Sequence, residues 1–327
     1  MLRVIPRITL SAVVCALLLC GAAVAQDYPN KPIRVVIPFP PGGPTDGMAR
    51  IVSERLGKLL GQTVVVDNRG GGAGGSIGAK SIATAEPDGY SILMTPGGSL
   101  TTGPAVHVNI GYDPLTVFAP VARLITTHQF LCVQPSLPVK TLPELIAYAK
   151  ANPGKVSYGT QGFGTGNHLL MELLKLETGI DIVHVPYRGT GPMLAAFLAG
   201  EVQMVVDPST TVLPHIQSGR VRAIAVTSSG RSAKLPDVPT TAEAGYPKLH
   251  SPFWLGVVAP AGTRPEIIEK LNAAFRESLN DPPTRERLDA LGAEISIGTP
   301  QEFGDMIRRE LALWKGVVQA AGIKAEQ

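Results

Sequence analysis

Cysteine is scarce in this 327-residue chain, which holds Cys15, Cys20 and Cys132 alone. The first two lie in an N-terminal apolar segment, so a chain processed there keeps Cys132 only. That excludes an intramolecular disulfide and any cysteine-based metal site. Cys132 sits in Phe130-Leu131-Cys132-Val133 and reads as a small buried hydrophobe rather than a reactive thiol. An excess of charge of one sign is also lacking, with 29 Lys+Arg against 26 Asp+Glu. Neither a basic patch nor aromatic interleaving is present, which argues against a nucleic-acid partner. Past the N-terminus no apolar run is long enough to span a bilayer. There is no H-E-x-x-H, no Cys/His cluster and no Asp-rich calcium loop, so no metal or other cofactor is expected.

The N-terminus carries a positive signal. Arg3 and Arg7 precede an apolar run, Ile8 to Cys20, that is short for a membrane span. Ala23-Val24-Ala25 follows, the small-x-small pattern that signal peptidase accepts. Cleavage after Ala25 is expected, which makes 1–25 a signal peptide, Gln26 the first mature residue and the periplasm the destination. The rivals are an uncleaved anchor, disfavoured by the length of the run, and a lipoprotein, disfavoured by Leu19 before Cys20. Loss of Arg3 and Arg7 leaves 27 basic against 26 acidic residues, a net charge of +1. About 300 mature residues suit two domains.

Short β-type runs alternate with helix-type runs. Strands are expected at Ile33–Pro38, Thr63–Asn68, Tyr90–Thr95, Gln129–Gln134, Val156–Thr160, Asp181–Pro186, Gln203–Asp207 and Val221–Thr227. Helices fall between many of them: Asp46–Leu60, one opening on a Thr141/Glu144 capping box, Asn167–Glu177 and Gly191–Ala199. After Val257–Ala259 the chain reads as helical, at Pro265–Leu279, Pro283–Leu291 and Pro300–Ala321. The alternation implies α/β architecture with mostly parallel sheets. With no Pro/Ser linker, any two lobes must be joined by short crossings, near Leu124–His128 and Pro247–Phe253.

Two loops have the grammar of anion sites. Val35 to Ile37 runs into Pro38-Phe39-Pro40-Pro41-Gly42-Gly43-Pro44-Thr45-Asp46, with Thr45 or Asp46 as the expected N-cap. That aims free N–H groups and the positive end of a helix at one point. An ordinary capped βα turn fits equally well. Gly159-Thr160-Gln161-Gly162-Phe163-Gly164-Thr165-Gly166-Asn167-His168 repeats the pattern before a second helix. Two such sites suit an acid with two anionic ends, while His168 alone is more often structural. Gly70, Gly72 and Gly75 satisfy G-x-G-x-x-G, yet the next strand ends in Leu93-Met94-Thr95-Pro96-Gly97, with no acid for a ribose. Gly74, Ser76 and Gly78 satisfy G-x-S-x-G, but glycines rather than a strand precede the serine. An exported serine esterase using Ser76 is the alternative reading, and none of the histidines is singled out as its partner.

Several longer stretches carry a family resemblance: Tyr28-Pro29-Asn30-Lys31-Pro32-Ile33, the Pro38–Asp46 loop, Gly89-Tyr90, Tyr112-Asp113-Pro114, Val183-His184-Val185-Pro186-Tyr187-Arg188-Gly189, Leu213-Pro214-His215-Ile216 and Leu235-Pro236-Asp237-Val238-Pro239-Thr240. With these the chain resembles the Bug receptor family, the extracytoplasmic solute receptors of tripartite tricarboxylate transporters. The resemblance implies a periplasmic-binding-protein-like fold of two α/β lobes, 26–126 with 249–327 and 127–248, joined by two crossing strands. It implies a non-enzymatic protein, expected as a monomer, that closes on a small carboxylate and serves membrane subunits of a transporter or a sensor. The carboxylate would be held, partly through water, by Phe39, Pro40, Gly43, Thr45 and Asp46 and by Thr160, Gly162, Gly164, Thr165, Asn167 and His168. Thr95, Gly97, Ser99 and Tyr187 would line the same cleft. Arg188 would pair with a second carboxylate or brace the hinge, the brace being favoured. Asp207-Pro208-Ser209-Thr210 stands where an Asp-Asn type segment is expected, so Asp207 and the Pro96–Ser99 loop are assigned to the far end of the ligand.

Overall fold

The computed structural model describes residues 28–107 and 109–323. The expected signal peptide and its cleavage site lie outside them.

The first sheet is started by β1 (Ile33–Ile37), β2 (Val64–Asn68) and β3 (Ser91–Thr95), linked by α1 (Pro44–Leu60) and α2 (Ser76–Ala83). Ile33, Val35, Val36 and Ile37 have no exposed surface, as expected of a strand covered on both faces. On α1, Met48, Val52 and Leu56 recur at helical spacing and are fully buried. Two short helices, α3 (Thr102–Val106) and α4 (Pro114–Val117), lead into β4 (Phe118–Thr127).

His128 alone separates β4 from β5 (Gln129–Val133), and there the chain passes to a second sheet. That sheet is built with α5 (Leu142–Ala151), β6 (Ser157–Thr160), α6 (Gly166–Thr178), β7 (Val183–Pro186), α7 (Thr190–Ala199), β8 (Met204–Pro208), α8 (Ser209–Gln217) and β9 (Arg222–Val226). Residues 227–252 return to the first sheet, which is completed by β10 (Phe253–Pro260), α9 (Pro265–Asn280), α10 (Pro282–Ala290), β11 (Ala293–Ile295) and α11 (Pro300–Ala321). The strand orders are β11-β4-β10-β3-β1-β2 and β7-β6-β8-β5-β9.

The expected parallel pairing holds where helices intervene, in β2-β1-β3 and β7-β6-β8. The other half of each sheet is antiparallel, which corrects the mostly parallel expectation. The reason is topological: a strand arriving from the other lobe enters with no crossover helix to fix its direction. β4, β10 and β11 were not foreseen as strands, and Pro214 inside α8 hid that helix. At Thr141 the capping box is only half formed. Thr141 Oγ1 accepts from Glu144 N at 3.2 Å, but the Glu144 carboxylate accepts from Lys140 N at 2.7 Å. The full reciprocal box occurs at Thr299 and Glu302, at the start of α11.

α11 belongs to both halves. Phe303 and Ile307 pack with Val36, Leu93 and Trp254 in the core of the first sheet. Leu311, Trp314 and Val317, one to three turns further along the same face, pack with Leu169, Leu170 and Leu173 of α6.

Candidate ligand cleft

The N-cap of α1 is Gly43, with Pro44 in the first turn, rather than Thr45 or Asp46. Proline suits that place because its φ is already helical and no N–H is lost. Asp46 falls in the first turn and is buried. Its Oδ2 accepts from Gly42 N at 3.0 Å and Arg50 Nε at 3.1 Å. Arg50 also donates to Asn68 Oδ1 at 2.9 Å, and Asn68 Nδ2 to Phe39 O at 3.1 Å. The three side chains brace the Phe39–Gly43 loop from behind. Burial pushes the Asp46 pKa up, but the bonds from Arg50, Gly42 and Asn68 outweigh it and hold the carboxyl below its ordinary range. With Asp46 neutralised by Arg50, the positive end of α1 stays available to an anion.

The second loop is built in the same way. Thr165 is the N-cap of α6, and its hydroxyl donates to Gly162 O at 2.8 Å. Beneath it, His168 and His184 stack with centroids 4.3 Å apart, flanked by Phe163 and Tyr158. His168 Nδ1 accepts from Gly164 N at 3.3 Å, and His184 Nε2 meets Thr160 Oγ1 at 2.7 Å. Burial lowers both imidazoles to about 4, so both are neutral. Asp207 lies fully buried behind the loop. Its Oδ1 accepts from Gln161 Nε2 at 2.7 Å and Asn167 Nδ2 at 3.3 Å. Burial raises this carboxyl to about 7 against the opposing pull of its donors.

Three adjoining cavities lie between the loops, and Phe39 and Gln161 line all of them. The inner one, about 50 Å³, is bounded by Pro96 to Gly98, the starts of α3 and α6, the crossing residues Gln129 and Ser251 to Trp254, and Glu310 and Trp314 of α11. The second, about 130 Å³, lies between Phe39–Thr45 and Arg188–Pro192. The outermost, about 690 Å³, opens past Gly71 to Gly75, Gly162, Phe163 and Tyr187.

The structure therefore divides the expected site residues. Phe39, Pro40, Gly43, Thr45 and Gly97 reach the cavities from one side, and Gly162, Thr165, Asn167, Tyr187 and Arg188 from the other. Asp46, Thr160, Gly164 and His168 do not line them; they hold the loops. Thr95 and Ser99 are wholly buried, bonded to each other at 3.1 Å, with Ser99 Oγ donating to Gly74 O at 2.9 Å. Asp207 sits one layer behind the cleft instead of at the far end of a ligand. Arg188 is exposed and makes no hydrogen bond or ion pair with the described residues. It is thus no brace, and its guanidinium is left for the cleft.

The glycine-rich stretch is explained by packing. A Cβ on Gly74 would lie 2.2 Å from Gly98 O, and one on Gly78 2.8 Å from Pro38 Cα. These glycines let three turns meet. Ser76 opens α2 with 8% exposure. Among the described residues, His128 bonds Ser228 and His184 bonds Thr160, and neither of these bonds involves Ser76.

Gln129, Gln161, Trp254, Glu310 and Trp314 were not foreseen as cleft residues. Gln161 lay within the second loop and could have been read there. The others come from β5, β10 and α11, and no local pattern marks them. Trp254 Nε1 donates to both carboxylate oxygens of Glu310 at 3.0 Å, and burial raises Glu310 to about 7.

Two α/β sheets joined by two crossings, with helix starts from each meeting at one cleft, define a periplasmic-binding-protein-like solute receptor. More narrowly, the chain belongs to the tripartite tricarboxylate transporter family receptors, whose family model matches residues 48–323. Protein BugT of Bordetella pertussis is 41% identical over 301 residues, 92% of each chain. The R. palustris protein Rpa4515, solved with adipate, superposes with a TM-score of 0.85 at 37% identity, covering 91% of this chain and 99% of that one. MatC from Rhodopseudomonas palustris, with bound malate, gives 0.83 at 33% identity over 89% of this chain and all of that one. Family and neighbours are solute-binding proteins, as the sequence resemblance implied.

Proposed function

We propose that the chain is exported, released after Ala25, and captures a small carboxylate by closing 26–126 with 249–327 onto 127–248. One observation carries the reading. The starts of α1 and α6, one from each sheet, open on the same run of cavities, where Arg188 is also unpaired. Helix N-termini and a free guanidinium are what a carboxylate requires. The open form would bind at one lobe, and the other would complete the hydrogen bonds on closure. A micromolar receptor needs about −8 kcal/mol, within reach of several N–H and hydroxyl contacts and burial in the cleft. The adipate and malate of the two R. palustris proteins support an acid as the class of ligand. A monomer that delivers its acid to membrane subunits of a transporter, or to a sensor, fits the family. In that division α11 is the exception, since its second half anchors in the opposite core.

The test is a thermal-shift series on the chain from Gln26 onward with a panel of carboxylates. Binding to the folded state raises the midpoint by mass action. If neutral sugars or amines raise it and no acid does, the carboxylate reading is wrong.

A further inference from the structure

We infer that the floor of the cleft receives a hydrogen-bond donor, so that the preferred ligand is a small carboxylate bearing an ammonium or hydroxyl group at its far end rather than a second carboxylate. This rests on the carboxylate reading above and narrows it.

Three amide side chains line the inner cavity, and each donates from its nitrogen to a protein acceptor. Gln129 Nε2 donates to Ser251 O at 2.5 Å. Asn167 Nδ2 donates to Val206 O and to Asp207 Oδ1. Gln161 Nε2 donates to Asp207 Oδ1 at 2.7 Å. Backbone carbonyls only accept, so the orientations of Gln129 and Asn167 follow from chemistry. Asn167 thus keeps only its oxygen for a further bond, while Gln129 and Gln161 keep an oxygen and one N–H each. Gln129 is 3% exposed, and its Oε1 has no partner among the described residues. An unpaired buried acceptor costs about 1–3 kcal/mol, a cost that a ligand donor would remove.

Glu310 adds a carboxyl group to the same wall. Its oxygens accept from Trp254 Nε1, and Oε2 also from Thr101 Oγ1 at 3.4 Å. Each carboxylate oxygen has two lone pairs, so acceptor capacity remains. Burial holds this carboxyl at about 7, and a cation beside it would favour its charged form. A second carboxylate placed here would meet the Glu310 carboxyl and the unpaired Gln129 oxygen, acceptor against acceptor whenever Glu310 is ionised. The outward donors are the α1 start and Arg188, and the α6 start adds its N–H groups at the inner cavity. The inner wall thus gathers the Glu310 carboxyl and the unpaired Gln129 oxygen, acceptors suited to a ligand donor.

The experiment is isothermal titration of the purified protein with butyrate, 4-aminobutyrate, 4-hydroxybutyrate and glutarate, repeated with the set one carbon longer. The expected result is that the amino or hydroxy acid binds at least about tenfold more tightly than both the plain acid and the diacid of its series. In Glu310→Gln the ratio of amino-acid to plain-acid affinity should fall about tenfold. Gln129→Leu, which removes the unpaired oxygen without touching Trp254, should lower the same ratio if Glu310→Gln fails to fold. Diacids binding best, or equal affinities across each series, would overturn the inference and leave the carboxylate reading intact. Failure of every acid, with neutral solutes bound instead, would overturn both.

Discussion

Gln161 Nε2 donates to Asp207 Oδ1 at 2.7 Å, tying the loop after β6 to a fully buried carboxylate at the end of β8. Gln161 lines every cavity of the cleft, whereas Asp207 lines none of them. The carboxylate therefore acts through the amide it orients. Asp207→Asn keeps the shape but offers an N–H where acceptors are needed. Affinity for the best carboxylate should drop by about tenfold or more. Calorimetric titration beside an unchanged circular-dichroism spectrum checks this; unaltered affinity would make Asp207 a core residue only.

Arg188 tests the role of free charge. It lines the two outer cavities without a partner among the described residues. Arg188→Ala should weaken acid binding and flatten its dependence on salt, since an exposed cation acts through a screened field. Stability should change by less than about 0.5 kcal/mol, as for a surface substitution without partners. Stopped-flow association at low and high salt separates the two effects.

Gly256 and Phe303 form a packing pair. A Cβ at Gly256 would lie 2.2 Å from Phe303 Cζ, so the ring rests directly on β10. Gly256→Ala should destabilise the fold by about 1–3 kcal/mol through overpacking. Phe303→Leu in the same chain should recover part of that loss. Denaturant unfolding of the two single variants and the double variant would show the coupling; strictly additive losses would contradict the contact.

The imidazole stack sets a pH dependence. His168 is 3% exposed, and its pKa falls to about 4 in the fold, chiefly through burial and next through His184. The unfolded chain titrates near 6.5, so between those values it binds more protons than the folded one. The contribution of His168 is therefore undiminished above about pH 6.5 and is lost as pH falls toward 4. The full swing is about 3 kcal/mol. Asp207 and Glu310, both raised to about 7, act with the opposite sign and lose stabilisation as pH rises toward 7. The clean observable is thus a difference: the stability advantage of wild type over His168→Asn should shrink between pH 7 and pH 4.5. An advantage independent of pH would mean that the ring titrates in the fold as it does in the unfolded chain.

Much of this was legible in sequence because it is local. The Pro/Gly loop before α1, the Gly-rich loop before α6 and the apolar periods of most strands and helices each lie within about ten residues. The limits of α11 at Pro300 and Ala321 match the helix expected there. β4 was missed because Phe118 to Thr127 mixes Pro120 and Arg123 into an apolar run and so shows no simple alternation. β11 spans three residues, too few to make a pattern.

By itself the sequence determined the class: strand–loop–helix units, two anion-ready helix starts, and a set of motifs shared with one receptor family. Only the tertiary structure decided which polar residues face the cleft. Thr95, Ser99, Thr160 and His168 stand in the right loops, but the turns that place their neighbours in the cleft point their side chains into hydrogen bonds behind it. Gln129, Trp254 and Glu310 are scattered along the chain and meet because two crossings and one long helix pass the same point. Hydrogen-bond satisfaction inside a packed fold is a property of neighbours in space, and local sequence carries no record of them.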